Sequence, residues 1–217
     1  MTIFNKAQDP ISSETHFIGA LMSVAFLISL IILSIVFKVK DIYLISSIIF
    51  GISAIMLYSA SSIYHFVLDS KSYKNVLRRV DHSMIYVLIA GTYTPIVLTT
   101  LPFSEGARFL SIIWGIAILG IILKIFYFNI NRSVYTIMYL ALGWAIIAKI
   151  DMMFLMPFAA LIFLILGGLS YSCGAIMYII KKPNITQAFG FHEFFHIWIM
   201  LGTTFHFIAI VICLLLS

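Results

Sequence analysis

Charged residues are scarce in this chain of 217 residues: it carries 13 lysines and arginines and 8 aspartates and glutamates, together 10% of the sequence. Soluble globular proteins carry roughly 25% charged residues, so these charges are too few to cover a water-facing surface of this size. Hydrophobic residues make up 63% of the chain, against roughly 45–50% in an average protein. The composition excludes an ordinary soluble domain and indicates an integral membrane protein.

Cysteine is rare as well. Cys173 and Cys213 both lie inside apolar runs, so they are interpreted as packing residues and predict neither a disulfide framework nor a thiolate metal site. The formal net charge of +5 does not indicate a nucleic-acid partner, because the basic residues are spread over short segments and form no patch. No internal repeat or low-complexity segment is visible.

Long apolar runs make up most of the sequence. A helix that crosses a bilayer needs about 20 mostly apolar residues. Seven such runs are present, at residues 17–37, 43–66, 83–101, 108–128, 134–149, 155–180 and 190–216. The first is too long and too late to be a cleavable signal peptide. We therefore predict an all-α bundle of seven transmembrane helices in the cell membrane, with a short N-terminal segment at 1–16 and a membrane domain at 17–217.

Lysine and arginine in the connections predict the orientation of the bundle, because cytoplasmic segments carry an excess of both. With the N-terminus inside, the cytoplasmic set has nine members: Lys6, Lys71, Lys74, Arg78, Arg79, Lys124, Arg132, Lys181 and Lys182. The opposite set has four: Lys38, Lys40, Arg108 and Lys149. The N-terminus is predicted to be cytoplasmic and the C-terminus external.

An ionisable residue within a membrane-spanning helix costs free energy, so each one is a candidate functional residue. In this chain they occur at the ends of four predicted helices, all on the predicted cytoplasmic side. They are Glu14, His16, His65, Asp81, His82, His192, Glu193 and His196, with Ser61 one turn before His65. Four helices that present such groups at one depth predict a single shared site.

The spacing of His192 and His196 sharpens this prediction. At positions i and i+4 of a helix their rings lie on one face, roughly 6 Å apart, which suits a pair of zinc ligands. The string also matches the HExxH pattern of metalloproteases, in which Glu193 would be the general base. A protease of that type expects a further ligand downstream, but no acidic residue follows Glu193, and Ile199 stands where the extended pattern has glycine. The protease interpretation is therefore disfavoured.

A third ligand must come from another helix. His206 lies ten residues after His196, roughly 15 Å deeper at 1.5 Å per residue, and is interpreted as a buried polar residue bonded by Thr203 or Thr204. His65 lies at the matching depth. With the pair on the last helix it would form a three-histidine site with an open fourth position, which catalytic zinc needs for water. Asp81 would hold or deprotonate that water.

Each residue alone has a plainer structural interpretation. His65 would be an interfacial side chain, Asp81 an ion-pair partner of Arg78 or Arg79, and Glu14 a first-turn residue of the first helix. An i, i+4 histidine pair can also arise by chance. Convergence of these groups at one depth favours the metal site.

The motifs resemble those of the hemolysin III and progestin/adipoQ receptor superfamily. The resemblance is carried by Ser61-x-x-x-His65, by Asp81 sixteen residues later, by His192-Glu193-x-x-His196, by Glu14-Thr15-His16-x-x-Gly19 and by the third-helix stretch from Ile85 to Pro95. It covers nearly the whole chain, and the short segment before the first helix resembles the bacterial hemolysin III branch.

The resemblance implies a seven-helix membrane protein with zinc near its cytoplasmic face. The implied zinc ligands are His65, His192 and His196, with Asp81 contacting a zinc-bound water and Ser61 beside it. Where receptor members have glutamine between the two late histidines, this chain has Glu193. Such relatives imply a ceramidase-type activity on a lipid amide, linked to membrane lipid homeostasis.

Two other functions remain open at this stage. The first is a non-enzymatic sensor or a cytolysin with a structural zinc site, in which His16 or His82 would fill the fourth position. The second is a channel or transporter, which is weaker because only His206 lies on a route to the far side. The sequence does not determine the substrate, the oligomeric state or the role of Glu14.

Overall fold

The computed structural model describes residues 3–127, 131–186 and 189–216. These residues form helices and connections without any strand. The α-helices are α1 (Pro10–Val36), α2 (Asp41–Phe66), α3 (Lys74–Thr100), α4 (Phe103–Phe126), α5 (Arg132–Gly143), α6 (Ile150–Leu155), α7 (Phe158–Ile180) and α8 (Phe191–Leu215). Short 3₁₀ helices occupy Ile3–Lys6 and Ala145–Lys149.

Seven segments are long and apolar enough to cross a membrane, which confirms the predicted architecture. Six of them are single helices. The fifth runs from Arg132 to Leu155 and joins α5, the second 3₁₀ helix and α6. It therefore extends six residues beyond the predicted end at Lys149. That charge does not end the span, because Lys149 is paired with Glu105 and lies 3.8 Å from a carboxylate oxygen of Asp151.

The break in the fifth span is stabilised by Tyr93 of α3. The tyrosine hydroxyl lies 3.1 Å from the carbonyl oxygen of Leu142 and 2.8 Å from that of Gly143. It also accepts the backbone N–H of Ile146 at 2.9 Å. Backbone polar groups at membrane depth must be satisfied within the protein, so this one buried side chain allows the helix to be interrupted.

The outer surface of the bundle is apolar and much of its interior is polar. On α1, Ile28, Ile32 and Val36 face outward with more than half of their surface exposed, as expected beside lipid tails. Ser23 and Ser34 on the same helix are buried, and each donates to the carbonyl four residues earlier. Small residues on the inner faces allow close helix packing in membranes. This distribution is typical of a membrane bundle.

The first four α-helices pack as successive antiparallel neighbours, and α8 packs against α7 and then α1, α3 and α2. This arrangement brings the start of α1, the end of α2 and the start of α3 to the same end of the bundle as the start of α8. That end is called below the N-terminal end. The candidate residues identified in the sequence therefore lie in one layer.

Candidate metal centre

Three histidines meet at the N-terminal end of the bundle. His65 lies in the last turn of α2, and His192 and His196 lie in the first two turns of α8. One ring nitrogen from each lies within 4.8 Å of the other two, and the Nε2 atoms of His65 and His192 are 3.1 Å apart. Tetrahedral zinc, with bonds of about 2.0–2.1 Å, places its ligand nitrogens roughly 3.3 Å apart. The cluster predicted from the sequence is therefore assembled, and its donor atoms could hold a metal ion.

Asp9, immediately before α1, orients His65. Its Oδ2 lies 2.9 Å from Nδ1 of His65, and this hydrogen bond is the main reason why the pKa of Asp9 lies below its usual value. An ionised carboxylate only accepts hydrogen bonds, so Nδ1 of His65 donates to it, and Nε2 on the other side of the ring faces His192. A carboxylate on the far ring nitrogen is a usual partner of a metal-binding histidine. Asp9 therefore prepares His65 to act as a ligand.

The first turns of α1 support His196. Thr15 lies 2.9 Å from the carbonyl oxygen of Ile11 and 3.1 Å from that of Ser12, and it donates its hydroxyl proton there. Its oxygen can then accept Nδ1–H of His196 across 3.3 Å, which leaves Nε2 of His196 for a metal. The ring of His16 stacks on His196, with centroids 3.5 Å apart and planes at 10°. Among the described residues, His16 lies outside the group that could hold a metal.

Asp81 and Ser61, the other two predicted site residues, line the same cavity as the three histidines. Asp81 is only 8% exposed. The Ser61 side chain interacts with the Asp81 carboxylate. His82 follows on the same helix, with its Nε2 4.0 Å from Oδ2 of Asp81. Across the part of the chain that the structure describes, His82 does not join the three-histidine group.

The Glu193 carboxylate accepts two hydrogen bonds at the N-terminus of α8. Its Oε1 accepts the Ser12 hydroxyl at 2.7 Å, and its Oε2 accepts the backbone N–H of Gly190 at 2.8 Å. Both carboxylate oxygens therefore fasten the start of α8, one of them to α1.

A cavity of about 210 Å³ extends from the three histidines into the bundle. Asp81 borders it near the histidines, whereas Ile96 on α3 and Leu164 on α7 border it farther in. The lining of α3 begins at Arg78 and ends at Ile96, which corresponds to about 27 Å at 1.5 Å per residue. Most of the deep wall is apolar, so the cavity suits a molecule with one polar end and a long apolar part.

His206 lies at the deep end of this cavity. The prediction that Thr203 or Thr204 bonds its ring is wrong. Its Nε2 lies 3.3 Å from the carbonyl oxygen of Leu164 on α7. Thr204 donates within α8 instead. The Thr203 hydroxyl lies 2.6 and 2.8 Å from two tyrosine hydroxyls, those of Tyr58 and Tyr171. Gly167 lets α7 approach this ring, since a Cβ there would collide with His206.

Sequence reasoning missed the contacts that α1 makes with the three histidines. The apolar run predicted at 17–37, with Glu14 as its earliest first-turn residue, left Asp9 in the segment before the first helix, whereas α1 begins at Pro10. Proline is favoured in the first turn of a helix, so Pro10 was the available signal. Three cations line the cavity wall: Arg78, Lys124 and Arg132. From the sequence, Lys124 and Arg132 were counted only for orientation, and Arg78 was considered otherwise only as an ion-pair partner of Asp81.

The fold and the site together define a multi-pass membrane protein with a largely buried three-histidine cluster at one end of a seven-helix bundle. A family model described as haemolysin-III related matches residues 4–207. The chain is 38% identical over 194 residues to the "Hemolysin-3 homolog" of Bacillus subtilis (strain 168), covering 88% of this chain and 89% of that protein. It is 34% identical over 211 residues to "Hemolysin-3" of Bacillus cereus, covering 97% and 93% respectively. The chain belongs to the hemolysin III family, as its motifs predicted.

Proposed function

We propose that this protein is a zinc-dependent hydrolase of a lipid amide, with a ceramidase-like reaction at the cytoplasmic side and a role in membrane lipid homeostasis. The observation that carries the proposal is the position of the three histidines and Asp81 at the head of a largely apolar cavity. A membrane lipid reaching this site would place its polar group beside the histidines and its apolar part along the cavity.

His65, His192 and His196 are the proposed zinc ligands. Their donor atoms fit such an ion, and Asp9 and Thr15 occupy the far ring nitrogens of two of them. When bound, zinc would lower the pKa of a coordinated water and polarise a carbonyl group. The described residues supply three grouped ligands and no fourth, which favours a catalytic centre over a closed structural one.

Asp81 is the proposed general base and acid. Its buried carboxylate would accept a proton from the attacking water and return it to the nitrogen of the departing amine. Ser61 would fix the orientation of the carboxylate through the interaction described above. The surrounding helices exclude bulk water, which strengthens electrostatic interactions at the reacting groups.

A cytolytic or sensory role with a structural zinc ion is the second candidate. It is favoured by the printed names of the two Bacillus relatives, which refer to haemolysis. On this alternative, zinc would hold α2 and α8 together and Asp81 would have no reaction to serve.

One experiment tests both candidates. Zinc content and lipid-amide turnover would be measured for the purified protein, for His192→Ala/His196→Ala and for Asp81→Asn. We expect about one zinc per chain in the wild type, loss of zinc in the double variant, and retained zinc without turnover in Asp81→Asn. His206→Gln, on the same helix but outside the cluster, is the control for zinc content.

Absence of zinc from folded wild-type protein would refute the metal centre. Zinc with turnover preserved in Asp81→Asn would refute the assignment of the base. Zinc without turnover of any lipid amide in the wild type would favour the structural alternative.

A further inference from the structure

Three cationic side chains border the cavity at the end that holds the histidines. They come from three helices: Arg78 from α3, Lys124 from α4 and Arg132 from α5. Asp81 is the single acidic residue among the described residues of this wall. With histidine neutral, and before any metal is counted, the charged residues of this wall therefore sum to two positive.

Two of these cations are held against aromatic rings. Lys124 is only 4% exposed, and its Nζ lies 3.8 Å from the centroid of the Tyr135 ring. The Arg132 guanidinium lies 5.1 Å from the centroid of Tyr178 and donates to the carbonyl oxygen of Ile179 at 3.2 Å. An aromatic face attracts a cation without neutralising its charge.

The charges of the three cations also act on groups of the metal centre. The charges of Arg78 and Lys124 both act on the Asp81 carboxylate, and the charge of Arg132 acts on the ring of His192. An excess of cations at a cytoplasmic end explains their presence. It does not explain why Lys124 points into the bundle, since long cationic side chains near helix ends normally extend to the membrane surface.

We propose that Arg78, Lys124 and Arg132 form an anion subsite beside the three histidines, and that it binds the phosphate headgroup of an amphiphile. A phosphate monoester carries a charge of about −1.5 to −2 at neutral pH, which matches the positive charge of the wall. Arginine binds phosphate through paired hydrogen bonds and lysine binds it as a point charge. The apolar chain of the ligand would follow the wall toward Ile96. Binding of the anion is independent of catalysis, whereas its part in choosing a substrate rests on the proposed hydrolase.

The test compares two fluorescent amphiphiles that differ only in the phosphate, a lysophosphatidic acid and the matching monoacylglycerol. Binding would be measured on full-length protein as purified, with its metal content determined, in a neutral detergent. We expect the phosphate form to bind about tenfold more tightly, which is close to the lower limit of the range for hydrogen bonds to charged groups. Lys124→Met should remove most of that difference without changing binding of the neutral form, and Lys124→Arg should preserve it.

Arg108→Gln is the matched control, because it removes one positive charge at the opposite end of the bundle. Arg78→Gln, at an exposed residue, provides a second test should Lys124→Met fail to fold. Equal affinity of the wild type for the two amphiphiles would overturn the subsite. So would a loss that is equally large in Arg108→Gln, because it would report net charge alone.

Inorganic phosphate distinguishes the two sources of the anion. Failure of equimolar phosphate to displace the lysophosphatidic acid supports a lipid headgroup, and full displacement would overturn that assignment in favour of the free ion. These binding measurements do not depend on turnover of a substrate. A negative result therefore leaves the tests of zinc content and of Asp81 intact, and failure of those tests leaves the binding result standing.

Discussion

Asp9 shows how a residue outside the three-histidine cluster can set the strength of metal binding. Removing a hydrogen-bond partner of a metal-binding histidine typically costs 10–100-fold in metal affinity. We therefore expect Asp9→Ala to weaken zinc binding by about that factor, because the His65 ring loses its partner at Nδ1. The measurement is competition for zinc with a chelator of known affinity.

The control for this prediction is Asp69→Ala. Asp69 is an exposed acid near the same end of α2, and it pairs with Lys74 at 3.4 Å without touching a histidine. Its removal should leave zinc affinity unchanged. Equal affinities for wild type and Asp9→Ala would show that Asp9 does not position the ligand.

The histidines could be predicted from the sequence because helical spacing and membrane depth are regular. His192 and His196 share a face by the i, i+4 rule, and His65 reaches the same depth by counting along a helix. Asp9 could not be assigned, because its contact depends on where α1 begins and how the preceding segment folds back onto α2.

The partner of His206 was missed for a different reason. It is the backbone carbonyl of Leu164, and a carbonyl group is present at every residue.

At the scale of the element, the fifth span shows the limit of reading helices from hydropathy. Its apolar residues were visible in the sequence, but its end at Leu155 and the interruption after Gly143 were not. The interruption requires a partner on another helix, the Tyr93 hydroxyl. Hydropathy describes the cost of each residue in lipid and carries no information about such a partner.

Tyr93→Phe tests this account of the interruption. The variant leaves backbone groups at Gly143 and Ile146 without their hydroxyl partner, and unsatisfied buried groups cost about 1–3 kcal/mol. We expect a loss of stability of that size, measured by thermal or detergent-induced unfolding of the purified protein. Tyr86→Phe is the matched control, because its buried hydroxyl has no hydrogen-bond partner among the described residues.

A comparable loss in Tyr86→Phe would show that the effect comes from removing any buried tyrosine hydroxyl from α3. No loss in Tyr93→Phe would show that the fifth span satisfies its own backbone at the break. Either result would remove the role assigned to Tyr93.

At the scale of the whole molecule, the proposed reaction depends on which side of the membrane the N-terminal end of the bundle faces. The helix arrangement places the three histidines, Asp81 and the three cations at the N-terminal end, and the distribution of lysine and arginine predicts that this end is cytoplasmic. A cytoplasmic site would meet lipids of the inner leaflet. An external site would face a different leaflet and a different set of substrates.

The orientation can be measured with single cysteines in a chain whose Cys173 and Cys213 have been replaced by alanine. Lys71→Cys lies in the exposed connection between α2 and α3, and Ser104→Cys lies in the exposed first turn of α4 at the opposite end. We expect a membrane-impermeant maleimide to label Ser104→Cys on intact cells, and Lys71→Cys only after the membrane is opened. The reverse pattern would place the histidines outside and would rule out a reaction on the cytoplasmic leaflet, even if zinc content and turnover were as expected.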